Sequence, residues 1–229
     1  MKIGGVQKLT LIDYPGKTAC TVFLSGCNFR CPWCYSPELV LHGEIEHQPQ
    51  IKEEEFFSFL GKRKNKLEGV VICGGEPTVE PYLQRFLEKI KEDGFLVKLD
   101  TNGSNPQVLK NLFYGRLVDY VAMDVKLPLE RYEETGFFDK EKIRESIEMI
   151  KESAPDYEFR TTVVPGVHGN EDIKKIGETI KGAKRHFIQN FLPQKTLDGS
   201  FLLKDPFSEK ELEEFKKTME EFVFCEIRR

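Results

Sequence analysis

The feature that most constrains the fold is the alternation of short apolar runs with amphipathic stretches along the chain. Strands are predicted at residues 18–25, 69–73, 95–100, 118–124, 158–164 and 186–190. Helices are predicted at residues 51–61, 81–92, 105–113, 140–152, 171–180 and 208–221. Residues 222–227 are predicted as an edge strand or a tail. Such an alternation produces a parallel α/β sheet, either open and doubly wound or closed into a full or partial barrel.

Composition and charge narrow the class of protein. No linker interrupts the alternation, so we expect residues 1–229 to form a single domain with a large buried core. No apolar run approaches the roughly 18 residues of a membrane span, and the first residues lead into no signal peptide. We therefore expect a cytoplasmic protein without a membrane partner. A net charge of −4 and the lack of a basic stripe argue against nucleic acid as a partner.

Three closely spaced cysteines follow the first predicted strand. Cys27, Cys31 and Cys34 have the spacing C-x3-C-x2-C, which can hold an iron–sulfur cluster and leave one iron open for chemistry. A closed zinc site is less favoured because it needs four ligands, and the histidines form no suitable pair. The other cysteines are scattered through apolar stretches, at Cys20, Cys73 and Cys225. This distribution indicates a reducing compartment and predicts that only the three spaced cysteines bind the cluster.

Glycine, proline and acidic residues collect where the predicted strands end. Three such runs are Gly74-Gly75-Glu76-Pro77, Asp100-Thr101-Asn102-Gly103 and Asp124-Val125-Lys126. Parallel α/β folds bind ligands at this edge. Two glycines allow a backbone edge to approach a ligand, and the carboxylate of Glu76 can accept hydrogen bonds from an ammonium group. Asp100 and Asp124 could each cap a helix. Together they predict a shared cation or polar ligand, and we expect them to converge.

Three further features are less specific. His168 is better explained as a loop histidine than as a general base, because no partner is visible in the sequence. Trp33 can cover the cluster or stack on a planar ligand. Residues 192–205 form the longest irregular segment after the cysteine region and are predicted as a loop over the site.

The cysteine spacing, with an aromatic residue before Cys34 and Gly74-Gly75-Glu76-Pro77 after the next strand, resembles the radical S-adenosylmethionine (SAM) superfamily. Within it, several runs resemble the glycyl-radical-enzyme activases: residues 12–17, 100–103 and 123–126, and Arg160 ahead of residues 163–166. The nearest likeness is to activating proteins of anaerobic ribonucleoside-triphosphate reductase, followed by pyruvate formate-lyase activases. The resemblance implies a partial (βα)6 barrel of parallel strands with outer helices.

The resemblance also implies roles for particular residues. Cys27, Cys31 and Cys34 would hold a [4Fe-4S] cluster whose open iron is chelated by SAM. The residues that contact the cofactor would be Trp33, Gly74, Gly75, Glu76, Asp100, Thr101, Asp124, Lys126 and Arg160. Among these, Gly74 to Glu76 would bind its amino group and Arg160 would assist at its carboxylate. The two aspartates would contribute to a monovalent cation site.

The implied reaction is the reductive cleavage of SAM and the abstraction of hydrogen from a glycine of a partner glycyl-radical enzyme. The electron would come from a flavodoxin- or ferredoxin-type donor, under anaerobic conditions. Residues 189–194 lack a histidine found near that strand end in formate-lyase activases, which leaves the substrate open. Two alternatives remain besides another activase: a radical SAM enzyme acting on a small molecule, such as a 7-carboxy-7-deazaguanine synthase, and a non-catalytic iron–sulfur carrier.

Overall fold

The protein is described here by a computed structural model that covers residues 1–228. These residues form one sheet of eight strands. The strands are β1 (Ile3–Thr10), β2 (Ala19–Leu24), β3 (Gly69–Gly74), β4 (Leu96–Thr101), β5 (Tyr120–Asp124), β6 (Tyr157–Val163), β7 (His186–Asn190) and β8 (Cys225–Arg228). Strand β1 pairs with β2 in the antiparallel sense, and every later pair is parallel.

Helices connect the parallel strands. They are α1 (Pro37–Val40), α2 (His42–His47), α3 (Glu53–Gly61), α4 (Leu83–Glu92), α5 (Pro106–Tyr114), α6 (Lys140–Ser153), α7 (Asn170–Thr179) and α8 (Glu209–Glu220). Short 3₁₀ helices lie at Pro77–Val79, Leu129–Thr135 and Gly199–Leu203. Among the described helices, none combines the length and the apolar character that a bilayer span requires.

The order of the strands in the sheet is their order in the chain. The winding therefore never reverses, and right-handed crossovers place the connecting helices on one face of the sheet. This order excludes the doubly wound alternative and confirms the partial (βα)6 barrel of parallel strands with outer helices. The edge strand predicted near the end of the chain is also confirmed as β8.

The two faces of the sheet differ in chemistry. On β4, Val97 and Leu99 are fully buried in the large apolar core shared with the helices. Lys98 lies between them in sequence and so points to the other face. There it is the direct neighbour of Val71 on β3 and of Tyr120 on β5. The inner face of the barrel thus combines a small apolar cluster with charged side chains.

The turn between β1 and β2 closes the amino-terminal end of the barrel. The ring of Tyr14 is only 4% exposed and lies 6.0 Å from the ring of Tyr120. Asp13 accepts a hydrogen bond of 2.6 Å from the hydroxyl of Thr21. The inner face is therefore covered from below by this turn and remains accessible at the carboxyl ends of the strands.

Candidate active site

A cavity of about 980 Å³, including its mouth, lies at the carboxyl ends of β2 to β6. All twelve site residues predicted from the sequence line it: Cys27, Cys31, Trp33, Cys34, Gly74, Gly75, Glu76, Asp100, Thr101, Asp124, Lys126 and Arg160. The fold thus brings together residues that are up to 133 positions apart, from Cys27 to Arg160.

The three spaced cysteines lie on the loop between β2 and α1. The sulfur of Cys27 accepts a hydrogen bond from the Phe29 backbone N–H at 3.3 Å. Burial raises the pKa of the Cys27 thiol to about 12 and that of Cys31 to about 11. At neutral pH these groups are therefore thiols, and bound iron would have to displace their protons.

The donor set suits a cluster better than a single metal ion. Within residues 1–228, no three His, Cys, Asp or Glu side chains are grouped around the position of one ion. A cubane cluster takes each thiolate on a different iron, so its cysteine sulfurs stand farther apart than the ligands of one ion. Three cysteines that line one cavity without meeting at a point fit that requirement.

Gly74 and Gly75 bring the end of β3 against the cysteine loop. A Cβ atom at Gly74 would lie 2.2 Å from the carbonyl oxygen of Leu24, and one at Gly75 would lie 2.2 Å from that of Gly26. Gly74 also has a φ of +126°, which favours glycine. Glycine is therefore needed at both positions so that β3 can lie against the protein's own backbone. The sequence analysis had explained the two glycines by the close approach of a ligand.

Glu76 is a buried carboxylate, 1% exposed, that ties two strand ends together. Its Oε1 accepts hydrogen bonds from the backbone N–H and the hydroxyl of Thr78, and from the hydroxyl of Thr101 at 2.7 Å. Its Oε2 accepts one from the Asn102 N–H at 2.6 Å. Burial raises the pKa of Glu76, and these donors oppose the rise. The less occupied oxygen, Oε2, retains capacity for a further donor.

The predicted convergence of Asp100 and Asp124 is confirmed, and Arg160 is the group they share. Its Nη1 donates to Oδ2 of Asp100 and its Nε to Oδ1 of Asp124, both at 2.9 Å. Burial opposes ionisation of both carboxyl groups, but the cations beside them outweigh it. Arg160 and Lys98 lower the pKa of Asp100, while Arg160 and Lys126 lower that of Asp124 to about 2. Neither aspartate caps a helix, since the residues before α5 and before Leu129–Thr135 are Asn105 and Pro128.

Lys126 and His168 lie on the cysteine side of the cavity. The ammonium of Lys126 donates to Oδ2 of Asp124 at 3.2 Å and also lies near Cys31 and Cys34. His168 accepts from the Val164 N–H at Nδ1, so its Nε2 carries the proton that is donated to the Lys126 carbonyl oxygen at 2.8 Å. Burial lowers the pKa of His168. With both ring nitrogens engaged by the backbone, His168 is a structural histidine of the loop, not a general base.

Residues 192–205 pack against Trp33 and the cysteine loop but do not line the cavity. Trp33 is 6% exposed, with its ring 6.2 Å from both Phe201 and His168. The N–H groups of Leu197 and Asp198 donate to the carbonyl oxygens of Cys34 and Pro32, at 3.1 and 2.8 Å. The irregular segment is thus joined by hydrogen bonds to the cysteine loop.

Sequence reasoning missed several lining residues. Cys73 lines the cavity, although its apolar surroundings had suggested a core residue. Side chains alternate between the two faces along β3, and this alternation is the pattern that could have revealed Cys73. Its neighbour on β2 is Phe23. Other lining residues that were not singled out are Phe29, Tyr35, Ser36, Val40 and Thr162, while Asn102 and Val125 lie within two of the runs predicted at the strand ends.

Comparison with known proteins agrees with this geometry. The family model of the Radical SAM superfamily matches residues 21–181. A protein of Methanocaldococcus jannaschii, provisionally named a glycyl-radical enzyme activating enzyme, is 36% identical over 231 residues, which covers 96% of this chain and 92% of that protein. The 7-carboxy-7-deazaguanine synthase of Methanopyrus kandleri is 33% identical over 132 residues, or 50% of this chain and 52% of that enzyme.

Among solved structures, a domain of pyruvate-formate lyase-activating enzyme from Bacteroides vulgatus has a similar fold. The TM-score is 0.56 at 19% identity, and the match covers 70% of this chain and 99% of that domain. The fold and the cavity define an α/β enzyme with a cysteine-lined site. The chain belongs to the radical SAM superfamily. Membership implies a [4Fe-4S] cluster and SAM as cofactors, and the three cavity cysteines and the polar strand ends fit both.

Proposed function

We propose that this enzyme is an activase, which uses SAM and a [4Fe-4S] cluster to remove a hydrogen atom from a glycine of a partner glycyl-radical enzyme. The observation that carries the proposal is the extent of similarity. The match to the provisionally named activating enzyme covers 96% of this chain, whereas the match to the deazaguanine synthase covers 50%. Only the former extends over nearly the whole chain.

In this proposal Cys27, Cys31 and Cys34 hold the cluster, and Trp33 covers it. When bound, the cluster and SAM supply the one-electron chemistry that removes the hydrogen atom. Cys31 and Trp33, each 6% exposed, limit the access of water to the cluster side of the cavity.

The strand ends would bind the cofactor's methionine part. Its amino group would donate to Oε2 of Glu76, beside the backbone of Gly74 and Gly75 and the hydroxyl of Thr101. Its carboxylate would accept from Arg160, whose two ion pairs use Nε and Nη1 and leave Nη2 for a ligand. Lys126, 23% exposed at the side chain, adds a positive charge on the same side.

A monovalent cation at Asp100 and Asp124 is a further part of the proposal. Arg160 already bridges the two carboxylates, so the cation would approach Asp124, whose side chain is 33% exposed, from the cavity. Replacing K⁺ by a large organic cation should then weaken SAM binding. Unchanged affinity would argue against a cation site beside Asp124.

We propose anaerobic ribonucleoside-triphosphate reductase as the partner and a flavodoxin- or ferredoxin-type protein as the electron donor. The six free cysteines support a reducing, cytoplasmic location. The test is electron paramagnetic resonance of the anaerobically reconstituted enzyme with SAM, reductant and the reductase. A glycyl radical signal should appear only when all components are present, and Cys31→Ala should abolish it. A signal with pyruvate formate-lyase alone would change the partner but not the class.

The second candidate is a radical SAM enzyme that acts on a small molecule, favoured by the 33% identity to a deazaguanine synthase over half of the chain. Turnover of a free purine analogue at a normal enzymatic rate, with no protein partner present, would establish it and overturn the activase proposal. The two candidates share the cluster and the SAM site, so the nature of the substrate alone separates them.

A further inference from the structure

Lys98 is a buried lysine beneath the proposed SAM site. Its side chain is 1% exposed, in the middle of β4, and its ammonium is paired with Oδ1 of Asp100. The ring of Tyr120 lies 6.0 Å from the ammonium, and Tyr14 closes the barrel below that ring. Lysine is almost never fully buried unless it is paired. The fold therefore keeps a charge at a position where an apolar residue would fit the pattern of the strand.

This lysine is one end of a chain of alternating charges across the inner face of three strands. In order, the members are Lys98, Asp100, Arg160, Asp124 and Lys126. Each aspartate gives one carboxylate oxygen to Arg160 and the other to a lysine. Three positive and two negative groups leave the chain with a net charge of +1, which suits an anionic ligand group in the cavity.

The guanidinium of Arg160 donates to two different carboxylates, one through Nε and the other through Nη1. Arginine commonly binds one carboxylate through two parallel hydrogen bonds. Here Lys98 pairs with Oδ1 of Asp100, and Arg160 meets Asp100 only at Oδ2 and donates its Nε to Asp124. If Lys98 lost its charge, Oδ1 of a buried carboxylate would have no cation. Rotation of Arg160 toward both oxygens of Asp100 would be the least costly remedy.

We infer that Lys98 is a positioning residue for SAM binding: by pairing with Asp100, it holds Arg160 in the divided geometry that presents a donor to the cofactor's carboxylate. Lys98 does not line the cavity and would not touch the cofactor itself. The inference rests on the proposed function only in taking SAM as the ligand of this cavity. It does not depend on which substrate follows.

The test is SAM affinity in the Lys98→Met variant, which keeps most of the length of the side chain and removes its charge. After anaerobic reconstitution, equilibrium dialysis should show a Kd for SAM raised on the order of tenfold, because one charge-assisted contact to the cofactor is misplaced. Iron content should stay at about four per chain. Lys91→Met is the matched control: Lys91 is paired with Asp119 away from the cavity, and its loss should leave the Kd unchanged.

A double-mutant cycle separates positioning from a general structural effect. If Lys98 acts through Asp100, Lys98→Met should have little further effect on the Kd in an Asp100→Asn background. An equal loss in both backgrounds, or an unchanged Kd in a folded Lys98→Met protein, would overturn the inference. Should Lys98→Met fail to fold, Lys98→Gln retains a donor to Asp100 and should give a smaller but measurable loss. If the wild-type enzyme itself binds no SAM, the proposed function fails instead.

Discussion

The backbone N–H of Asn102 donates a 2.6 Å hydrogen bond to Oε2 of Glu76, and this contact joins the ends of β4 and β3. A carboxylate one residue beyond the glycine pair thus fixes the turn that follows the neighbouring strand. The same carboxylate is the group we propose for the cofactor's amino group. Structural support and ligand binding are therefore combined in Glu76.

Glu76→Gln should weaken both properties. A Gln side chain offers one acceptor oxygen and one NH₂ group, so at least one of the buried donors now bonded to Glu76 would face another donor. We expect a loss of about 1–3 kcal/mol in the free energy of unfolding, together with weaker SAM binding. Chemical denaturation and equilibrium dialysis measure the two effects. Glu92→Gln, on an exposed part of α4, should change neither.

Gly75→Ala should be far more damaging than Gly43→Ala. The added Cβ at residue 75 would lie 2.2 Å from the Gly26 carbonyl oxygen, so the cysteine loop must move, at a cost of about 3 kcal/mol or more. At residue 43, in α2, a Cβ meets no atom within 4 Å, and stability should rise by up to about 1 kcal/mol. Thermal unfolding and iron content check both variants. Full cluster loading of Gly75→Ala would contradict the close contact.

Only the three spaced cysteines should be needed for the cluster. Cys31→Ala should lose most of the iron, whereas Cys73→Ala should keep about four irons per chain. Burial raises the pKa of Cys73 to about 12, so it would remain a thiol in the cavity wall. Iron analysis and the visible absorption spectrum of the reconstituted proteins show which variant has lost the cluster. Equal loss in the two variants would make Cys73 a fourth ligand.

Stability should fall as the pH is lowered, because of a buried histidine remote from the cavity. Burial lowers the pKa of His186 to about 3, while an unfolded histidine titrates near 6.5. Between these values only the unfolded state takes up the proton, so stability rises with pH by roughly 1.4 kcal/mol per unit. In His186→Gln the contribution of this histidine to the rise of the unfolding free energy with pH should vanish. Chemical denaturation between pH 4 and 6 measures it. His42→Gln, on the exposed surface of α2, should keep the wild-type slope.

Two buried serines should respond to alanine in opposite ways. Within residues 1–228 the Ser25 hydroxyl is buried without a hydrogen-bond partner, so its removal should stabilise the protein by about 1 kcal/mol. The Ser146 hydroxyl donates to the Gly103 carbonyl oxygen at 2.7 Å, and its removal should cost a similar amount. Parallel urea titrations of Ser25→Ala and Ser146→Ala test the contrast. A loss of stability in Ser25→Ala would indicate a bonded hydroxyl.

The parallel strands and the position of the site could be predicted because burial on both faces gives continuous apolar runs, and their ends are marked by Gly, Asp and Glu. Strand β1 lacks that pattern: of its eight residues only the first and last are buried. Helices α1 and α2, with four and six residues, are too short to show a helical period.

The contacts within the site could not be predicted in the same way. The division of Arg160 between Asp100 and Asp124 depends on the register that places Asp124 beside Arg160 across β5 and β6. Register is a property of the assembled sheet. The close approach of the cysteine loop to Gly74 and Gly75 is likewise a tertiary contact. Two glycines in a sequence show that something can come close, but not which segment of the chain does so. Lys98 and Asp100 were both visible as charges in the strand, but their pairing was not.

The sheet begins at β1 and ends at β8, and these strands lie at opposite edges. A closed barrel can widen only if a strand pair separates, whereas a sheet whose first and last strands are not paired with each other can flatten while its ladders of hydrogen bonds remain intact. The curvature of this barrel is therefore a soft degree of freedom. A macromolecule that inserts a loop at the carboxyl ends can spread them at little cost, because the outer strands β1 and β8 are not paired with each other.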